Sequence, residues 1–421
     1  MEGDSRSSTI KTIMPPEPIA DGDVDAQVLI KEARARARRR RRRLALVLAV
    51  LLALIAGVAA AVRSPSGKVA TATARRDHSR SPAFVPLTLP PFFADVQGSG
   101  EGNGPLQIRE TGSGHLVWQD TRVTSADGVT GLAAASQRSF VFAMNAGSAC
   151  ATKLYRARLS ASGLPGALAP LGPTLPGMLW SLTVGDDGRV IGYAISGCSK
   201  GAPGYLGVLQ LPSGRTREWG DLSLGGMSSG NLALQGQLTM SADGRLLGFA
   251  ADAISQPDGL IMGQNVRVLA TDAPPGSVSR RSRVIYRQAA PGLGTRSDLA
   301  AASLSPSGTS AYVCRQSATR TLATAEIMAY SASTADPRGV ITTFNAKGTW
   351  PQVSCSSMAL DSSGGFLLVP YTVHSAAGPS AEVLQQVAVI NLATRAIFTV
   401  PIKMSGSGGI SEENGTSIVA W

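Results

Sequence analysis

Side chains able to do chemistry are thinly spread in this chain of 421 residues. Gly226-Met-Ser-Ser-Gly230 has the Gly-x-Ser-x-Gly spacing that can place a serine nucleophile on a sharp strand-to-helix turn. No helix pattern follows it, and it lies in a Gly/Ser-rich connection, so Ser228 reads as a loop residue. The three histidines, His78, His115 and His374, are scattered, and no Cys-x-x-Cys occurs, so no set has metal-ligand spacing. His115 follows the Gly112-Ser-Gly114 turn, and His374 lies past Tyr371 at a strand end. Asp187, Asp243 and Asp361 belong to turns; Glu110 and Glu326 sit on strands that face a channel or solvent. The glycine-rich stretches 98–104 and 405–409 lack the Gly-Lys-Ser/Thr ending of a phosphate loop. No catalytic, cofactor-binding or metal-binding residue is assigned, and no cofactor is implied. Trp180 and Trp350 precede inner strands and are the candidates to stack a ligand at one mouth of the fold, with His374 as a further loop contact.

The elements that would position these residues come from a phrase that returns six times: an apolar strand, Ser/Asp-x-x-Gly or a relative, and a second apolar strand. The copies are Ala133–Phe142, Leu182–Ala194, Leu238–Ala250, Ala301–Val313, Met358–Val369 and Ile410–Trp421. Their turns lie roughly 50–65 residues apart, a period that means propeller or solenoid. Asp187-Gly188 and Asp243-Gly244 suit a tight hairpin, because both residue types tolerate the left-handed region. The first copy has Gln137-Arg138-Ser139 instead. A second hairpin follows each first one, as in Tyr205–Trp219, and two hairpins per period make a four-stranded blade. Leu106–Trp118 reads as a second hairpin without a first, and Ile410–Trp421 as a first without a second. Joined, they form one blade shared by the N- and C-terminal strands. The expected fold is all-β, a six-bladed β-propeller preceded by a single transmembrane helix.

Four cysteines, Cys150, Cys198, Cys314 and Cys355, lie beyond the apolar stretch described below. An even number in an oxidising compartment points to two disulfides, with three connectivities open. Cys150 and Cys198 each follow the second strand of neighbouring blades, while Cys314 ends such a strand in the fourth blade and Cys355 enters the fifth, which favours Cys150–Cys198 with Cys314–Cys355.

The repeats resemble the WD40-like or TolB-type propeller repeat, whose signature is Ser-Pro-Asp-Gly before a strand; Leu304-Ser-Pro-Ser-Gly is the nearest copy. The layout from Pro91-Phe-Phe-Ala through Ile108-Arg-Glu-Thr-Gly-Ser-Gly, Val266-Arg-Val-Leu-Ala-Thr-Asp-Ala-Pro-Pro-Gly-Ser and Ser282-Arg-Val-Ile to Ile418-Val-Ala-Trp resembles a family of membrane-anchored propellers of high-GC Gram-positive bacteria. That resemblance covers residues 91–421. It implies a fold and a topology, and brings neither an activity nor catalytic residues.

Residues 44–62 are uninterruptedly apolar, enough to span a bilayer core at about 1.5 Å per residue. Arg38, Arg39, Arg40, Arg41, Arg42 and Arg43 precede them, and the positive-inside rule puts the N-terminus in the cytoplasm. The expected organisation is a cytoplasmic basic stub (1–43), a transmembrane helix (44–62), a flexible stalk (63–90) and an extracytoplasmic propeller (91–421) at the plasma membrane. A cleaved signal peptide ending near Ala70-Thr-Ala72 is the alternative, with an n-region far longer than usual.

The formal charge is +11, and the stub holds eleven Lys/Arg against seven Asp/Glu. The densest arginine run abuts the membrane segment, so anionic headgroups, not nucleic acid, are its expected partner. The functional expectation is a non-catalytic scaffold that holds a protein or cell-envelope ligand on a propeller face. The alternative is a sensor that couples an external signal to a cytoplasmic regulator such as a sigma factor. A third reading is a hydrolase or lyase with its site in the funnel.

Overall fold

The Ser/Asp-x-x-Gly phrase is a hairpin device in three of its copies. The residue that opens the turn accepts a hydrogen bond from a backbone N–H five residues on: Leu246 N to Ser241 Oγ at 2.9 Å, Ser310 N to Ser305 Oγ at 3.0 Å, and Phe366 N to Asp361 Oδ1 at 2.8 Å. The glycine three residues along then takes positive φ, 71° at Gly244 and 68° at Gly308, which a Cβ would oppose. In another copy Asp187 itself turns left-handed at φ 50°, as short polar side chains tolerate. These geometries come from a computed structural model, which describes residues 89–96, 105–120, 129–145, 150–199, 201–224, 230–255, 261–289, 296–348, 351–355, 357–374, 383–401 and 418–421. All of them belong to one unit, Phe84–Trp421.

The described strands form five sheets. The first contains β1 (Phe92–Val96), β2 (Leu106–Glu110) and β3 (Leu116–Gln119). The second contains β4 (Val129–Ser136), β5 (Ser139–Asn145) and β6 (Ala151–Arg158), edged by the short β7 (Ala169–Pro170) and β8 (Leu175–Pro176). The third runs through β9 (Met178–Gly185), β10 (Val190–Ser196), β11 (Gly204–Gln210), β12 (Arg215–Ser223), β13 (Leu232–Met240), β14 (Leu246–Ile254) and β15 (Ile261–Ala270). It also takes in β16 (Gly276–Ser277) and, after the one-turn helix α1 (Val278–Arg281), β17 (Arg283–Ala289). The fourth is β18 (Arg296–Leu304), β19 (Ser310–Ala318), β20 (Leu322–Ser331) and β21 (Pro337–Lys347). The fifth is β22 (Gln352–Cys355), β23 (Ala359–Leu360), β24 (Phe366–His374), β25 (Val383–Asn391) and β26 (Ile397–Pro401). Strand β27 (Ile418–Ala420) returns to the first sheet, antiparallel to β1, with Ala94 opposite Ala420 and Val96 opposite Ile418.

Two expectations are corrected. Six separate blades are not seen: four sheets have the four or five strands of one blade, and the other has nine. The merger has a local cause. β12 and β13 pair in parallel at Leu222–Leu232 and Ser223–Ala233, which joins two hairpin pairs into one sheet. The shared sheet also divides one strand to three instead of two to two. Phe92–Val96, all buried, supplies the second strand, and β27 is the innermost. Buried Arg109 pairs with buried Asp95 in that sheet, Nε to Oδ1 at 3.3 Å. Residues 44–62 lie outside the described residues, and among those described no helix is long and apolar enough to cross a membrane.

The strands at the inner edges follow one another in a circle: β27 beside β4, then β9, β13, β18, β22 with β23, and β27 again. Side chains tie this circle. Ser181 Oγ accepts from Leu238 N at 2.8 Å, and Thr239 Oγ1 from Leu304 N at 3.1 Å. The core sits in wedges between neighbouring hairpin pairs, not on the axis. Phe140 and Phe142 fill the first, Ile191 and Tyr193 the next, and Phe249 with Trp219 the gap inside the nine-stranded sheet. Ile285 with Val313, Leu367 with Tyr371, and Phe366 with Trp421 fill the others. Each such large side chain contributes roughly 1.5–3 kcal/mol on burial. An architecture of sheets stacked in a circle with a wedge-shaped core is propeller-like.

Covalent staples and one insertion lock these wedges. Cys150–Cys198 joins the second sheet to the third, with Cα atoms 5.7 Å apart, and Cys314–Cys355 joins the fourth to the fifth, at 6.6 Å. Both expected pairs are formed. Residues 271–282 fold back onto β12: Gly276 and Ser277 pair with Trp219 and Gly220, and Trp219 Nε1 donates to Pro274 O at 3.0 Å. Asp221 anchors the same segment, accepting from Ser277 Oγ at 2.6 Å and Ser279 Oγ at 2.9 Å. Burial works against its charge, but these bonds and those from Asn231 outweigh it and hold the carboxyl below its ordinary pKa.

Candidate functional site

The inner strands enclose a cavity of about 230 Å³ at the Asp-Gly-turn end of the axis. Its walls mix short residues, such as Ala133 to Ala135 of β4, Gly185 of β9 and Thr239 of β13, with larger apolar ones, such as Leu182, Leu238, Leu304 and Met358. Turn residues Ser136, Asp187, Ala242, Pro306 and Ser362 form its rim.

Its polar groups differ in what they can still do. The buried carboxylate of Asp361 is consumed by its own turn, accepting from Phe366 N, from Ser363 N at 3.1 Å and from the Ser363 hydroxyl. Thr239 Oγ1 accepts from Leu304 N and donates to Gly248 O at 3.3 Å. Asp187 stands exposed at the rim. Trp421 is 2 % exposed and lines the cavity, its ring tilted against Phe366 at 6.0 Å, and its buried Nε1 has no hydrogen-bond partner among the described residues. The charged groups of the cavity lining are thus the carboxylates of Asp361 and Asp187.

Beside the rim, Arg156 Nη2 donates to Gly188 O at 2.8 Å. Burial, then the neighbouring Arg158, lowers the Arg156 pKa from the usual guanidinium value. Among the described residues no group of three His, Cys, Asp or Glu side chains could hold a metal ion.

The residues singled out in the sequence do not converge here. Trp180 lies on β9 at the end away from the Asp187 turn, 41 % exposed, its Nε1 donating to Ser196 Oγ at 3.0 Å near the Cys198 staple. Trp350, Ser228, His78 and Arg38 to Arg43 lie outside the described residues. His374 ends β24 opposite Gln352; its side chain is outside the described set. His115 is exposed, and Glu110 accepts from Ser113 Oγ at 2.5 Å. Glu326 faces Arg315, whose Nε donates to it at 2.8 Å. Trp421 was not among the sequence candidates; its signal was its place one residue beyond the inner strand of the shared sheet.

No protein-family model matches the chain, and no curated protein matches its sequence. Its structural neighbours are TolB-like β-propellers. TolB from Acinetobacter baumannii aligns at TM-score 0.46 and 11% identity, over 79% of this chain and 66% of that one. A putative TolB from Agrobacterium tumefaciens aligns at 0.39 and 12%, over 73% and 87%. The periplasmic gluconolactonase PpgL of Pseudomonas aeruginosa aligns at 0.38 and 14%, over 74% and 96%. The chain thus spans just under two thirds of the Acinetobacter TolB's length. These likenesses carry no activity over, and they do not bear on the membrane-anchored Gram-positive family of the sequence resemblance.

Proposed function

We propose that this protein is a non-catalytic binding scaffold: a propeller held outside the plasma membrane by residues 44–62, with its ligand a protein or cell-envelope component. In this reading the nine-stranded sheet counts as two blades, so that six surround the axis. The observation that carries the proposal is the cavity. It sits on the axis among the sheets, and its wall carboxylate Asp361 is consumed by a turn. A rigid scaffold that presents loops and a concave axis recognises partners well. The two disulfides favour an oxidising compartment.

The test is photocrosslinking in cells, with probes placed separately at Ser199, at Asp187 on the cavity rim and at Val28 in the stub. Reproducible capture of one partner by a propeller probe supports the scaffold. Capture by the stub probe alone, changing with external conditions, replaces it with the sensor. Turnover of a lactone or an oligogalacturonate by the purified full chain replaces it with an enzyme.

A further inference from the structure

The formal charge of the propeller is concentrated on one part of its outer wall. Residues 91–421 hold 23 Lys/Arg and 20 Asp/Glu, and residues 261–289 alone hold five arginines and one aspartate. Without that segment the propeller is close to neutral. The five are Arg267 on β15, Arg280 and Arg281 on α1, and Arg283 and Arg287 on β17, the edge strand of the nine-stranded sheet. None of them lines the axial cavity. Exposed Arg217 of β12 joins the group, because residues 271–282 fold onto that strand and Arg217 Nη1 donates to Thr271 O at 3.1 Å.

These cations are fixed in place but not neutralised. Arg267 is 8 % exposed, and neutral groups satisfy its guanidinium: Nε donates to Ser282 Oγ at 2.7 Å and Nη2 to Ser279 O at 2.6 Å. Among the described residues no carboxylate pairs with it. Burial, then the neighbouring Arg287, lowers its pKa from the usual guanidinium value. Arg283 donates to Ser333 O and Ala332 O. Nearby carboxylates are engaged elsewhere or exposed. Asp221 accepts from Ser277 and Ser279, Glu218 from Tyr193, and Asp272 is exposed. Arg280, Arg281 and Arg287 are exposed and make no ion pair among the described residues. Such a cluster raises the local concentration of anions, and guanidinium matches phosphate bidentately.

The arginines follow one sheet edge and the turn before it. That is a line, not a plane, and a line of cations fits a chain better than a flat bilayer. We propose that this wall binds a linear phosphate-bearing polyanion of the cell envelope, its phosphates paired with Arg280, Arg281 and Arg287. The proposal rests on the scaffold reading and names its ligand class.

The test titrates linear polyphosphate into the full chain by calorimetry. Binding should saturate and should weaken about tenfold or more between about 50 mM and about 200 mM salt, as release of counterions from a polyanion requires. R280Q/R281Q/R287Q should weaken it about tenfold, since three exposed charge contacts are lost. R138Q/R189Q/R245Q removes the same charge from turns off this wall and should stay within about twofold of wild type. Both variants are altered only on the surface, so their thermal midpoints should match wild type.

No binding at about 1 mM phosphate groups in the lower salt overturns the proposal. Equal weakening by the two triple variants also overturns it, because net charge and not this wall would then be responsible. Binding of phosphatidylglycerol vesicles that R280Q/R281Q/R287Q abolishes, with no binding of polyphosphate, reassigns the wall to a membrane. Self-association of that variant with polyphosphate binding intact would mean that the arginines only guard the β17 edge. If a propeller probe crosslinks a protein partner while polyphosphate fails, the scaffold stands and this ligand class falls. If both fail, the scaffold itself falls.

Discussion

Replacing Cys150 and Cys198 together by serine should cost this protein about 4 kcal/mol of stability. The staple closes a loop of sequence separation 48, and in the chain-entropy model such a loop restricts the unfolded chain by about 4 kcal/mol at room temperature. The native state adds little, because Cys198 is exposed and Cys150 half-buried, so the serine hydroxyls meet water. The second staple has separation 41 and the same predicted worth, about 4 kcal/mol. The loops do not overlap, and they join different pairs of sheets, so the two losses should add. Their sum, about 8 kcal/mol, rivals the whole stability of a typical domain, so a chain without either staple should be near unfolding. The assay is equilibrium urea denaturation of the oxidised full chain, followed by tryptophan fluorescence, for wild type and C150S/C198S. The midpoint should fall and the denaturant slope should rise, because the uncrosslinked chain exposes more surface. A loss below about 1 kcal/mol with an unchanged slope would refute the reasoning, since the staple would then not be acting on the unfolded chain.

Burial, with the Glu218 carboxylate accepting from its hydroxyl at 2.8 Å, raises the Tyr193 phenol well above its ordinary pKa. The native state therefore favours the protonated form, and stability should decline as pH rises past the unfolded tyrosine value of about 10. Y193F should cost about 1 kcal/mol at neutral pH and flatten that alkaline decline in thermal melts. Asp252 is raised chiefly by desolvation, with Asp298 adding to it, against the hydrogen bonds of Gln264 and Gln235. Its native form holds a proton more tightly than the unfolded one, so stability is lost as pH rises from the ordinary carboxylate range through the folded value. D252N should thus melt higher than wild type at pH 7 and show less pH dependence in that window. G207A should lose about 1–3 kcal/mol in urea, because a Cβ at Gly207 falls onto the buried Tyr193 ring; an unchanged midpoint would mean that ring has room to move.

The hairpins are legible in the sequence because their chemistry is local. Ser241, Ser305 and Asp361 each cap a backbone N–H within five residues, and the turn glycine sits between. Cysteine pairing is legible for a related reason: each pair lies in adjacent units, Cys150 and Cys198 just beyond second strands, and Cys314 on a second strand facing the inner-strand Cys355 of the next sheet. What is not legible depends on contacts between units. The parallel join at Leu222–Leu232 is two residue pairs long and leaves no periodic mark. The return of 271–282 onto β12 is written as Pro-Pro-Gly, which reads as a loop, and only the burial of Trp219 and its bond to Pro274 show what that loop covers. Phe92-Phe-Ala-Asp-Val96 carries no Ser/Asp-x-x-Gly turn, so its place between β2 and β27 could not be read from the repeat.

The pairing of β1 with β27 sets a schedule for making the protein. Phe92–Val96 leaves the ribosome early, yet its inner partner, Ile418–Ala420, comes more than three hundred residues later. At a synthesis rate of about 5–20 residues per second that interval is some tens of seconds. During it the buried edge of β1 has no strand of its own to pair with, and an unpaired apolar edge invites association with other chains. A cell making this protein must therefore shield one strand edge until the last strand arrives, and a nascent chain stalled before residue 418 should be the form that holdase chaperones retain.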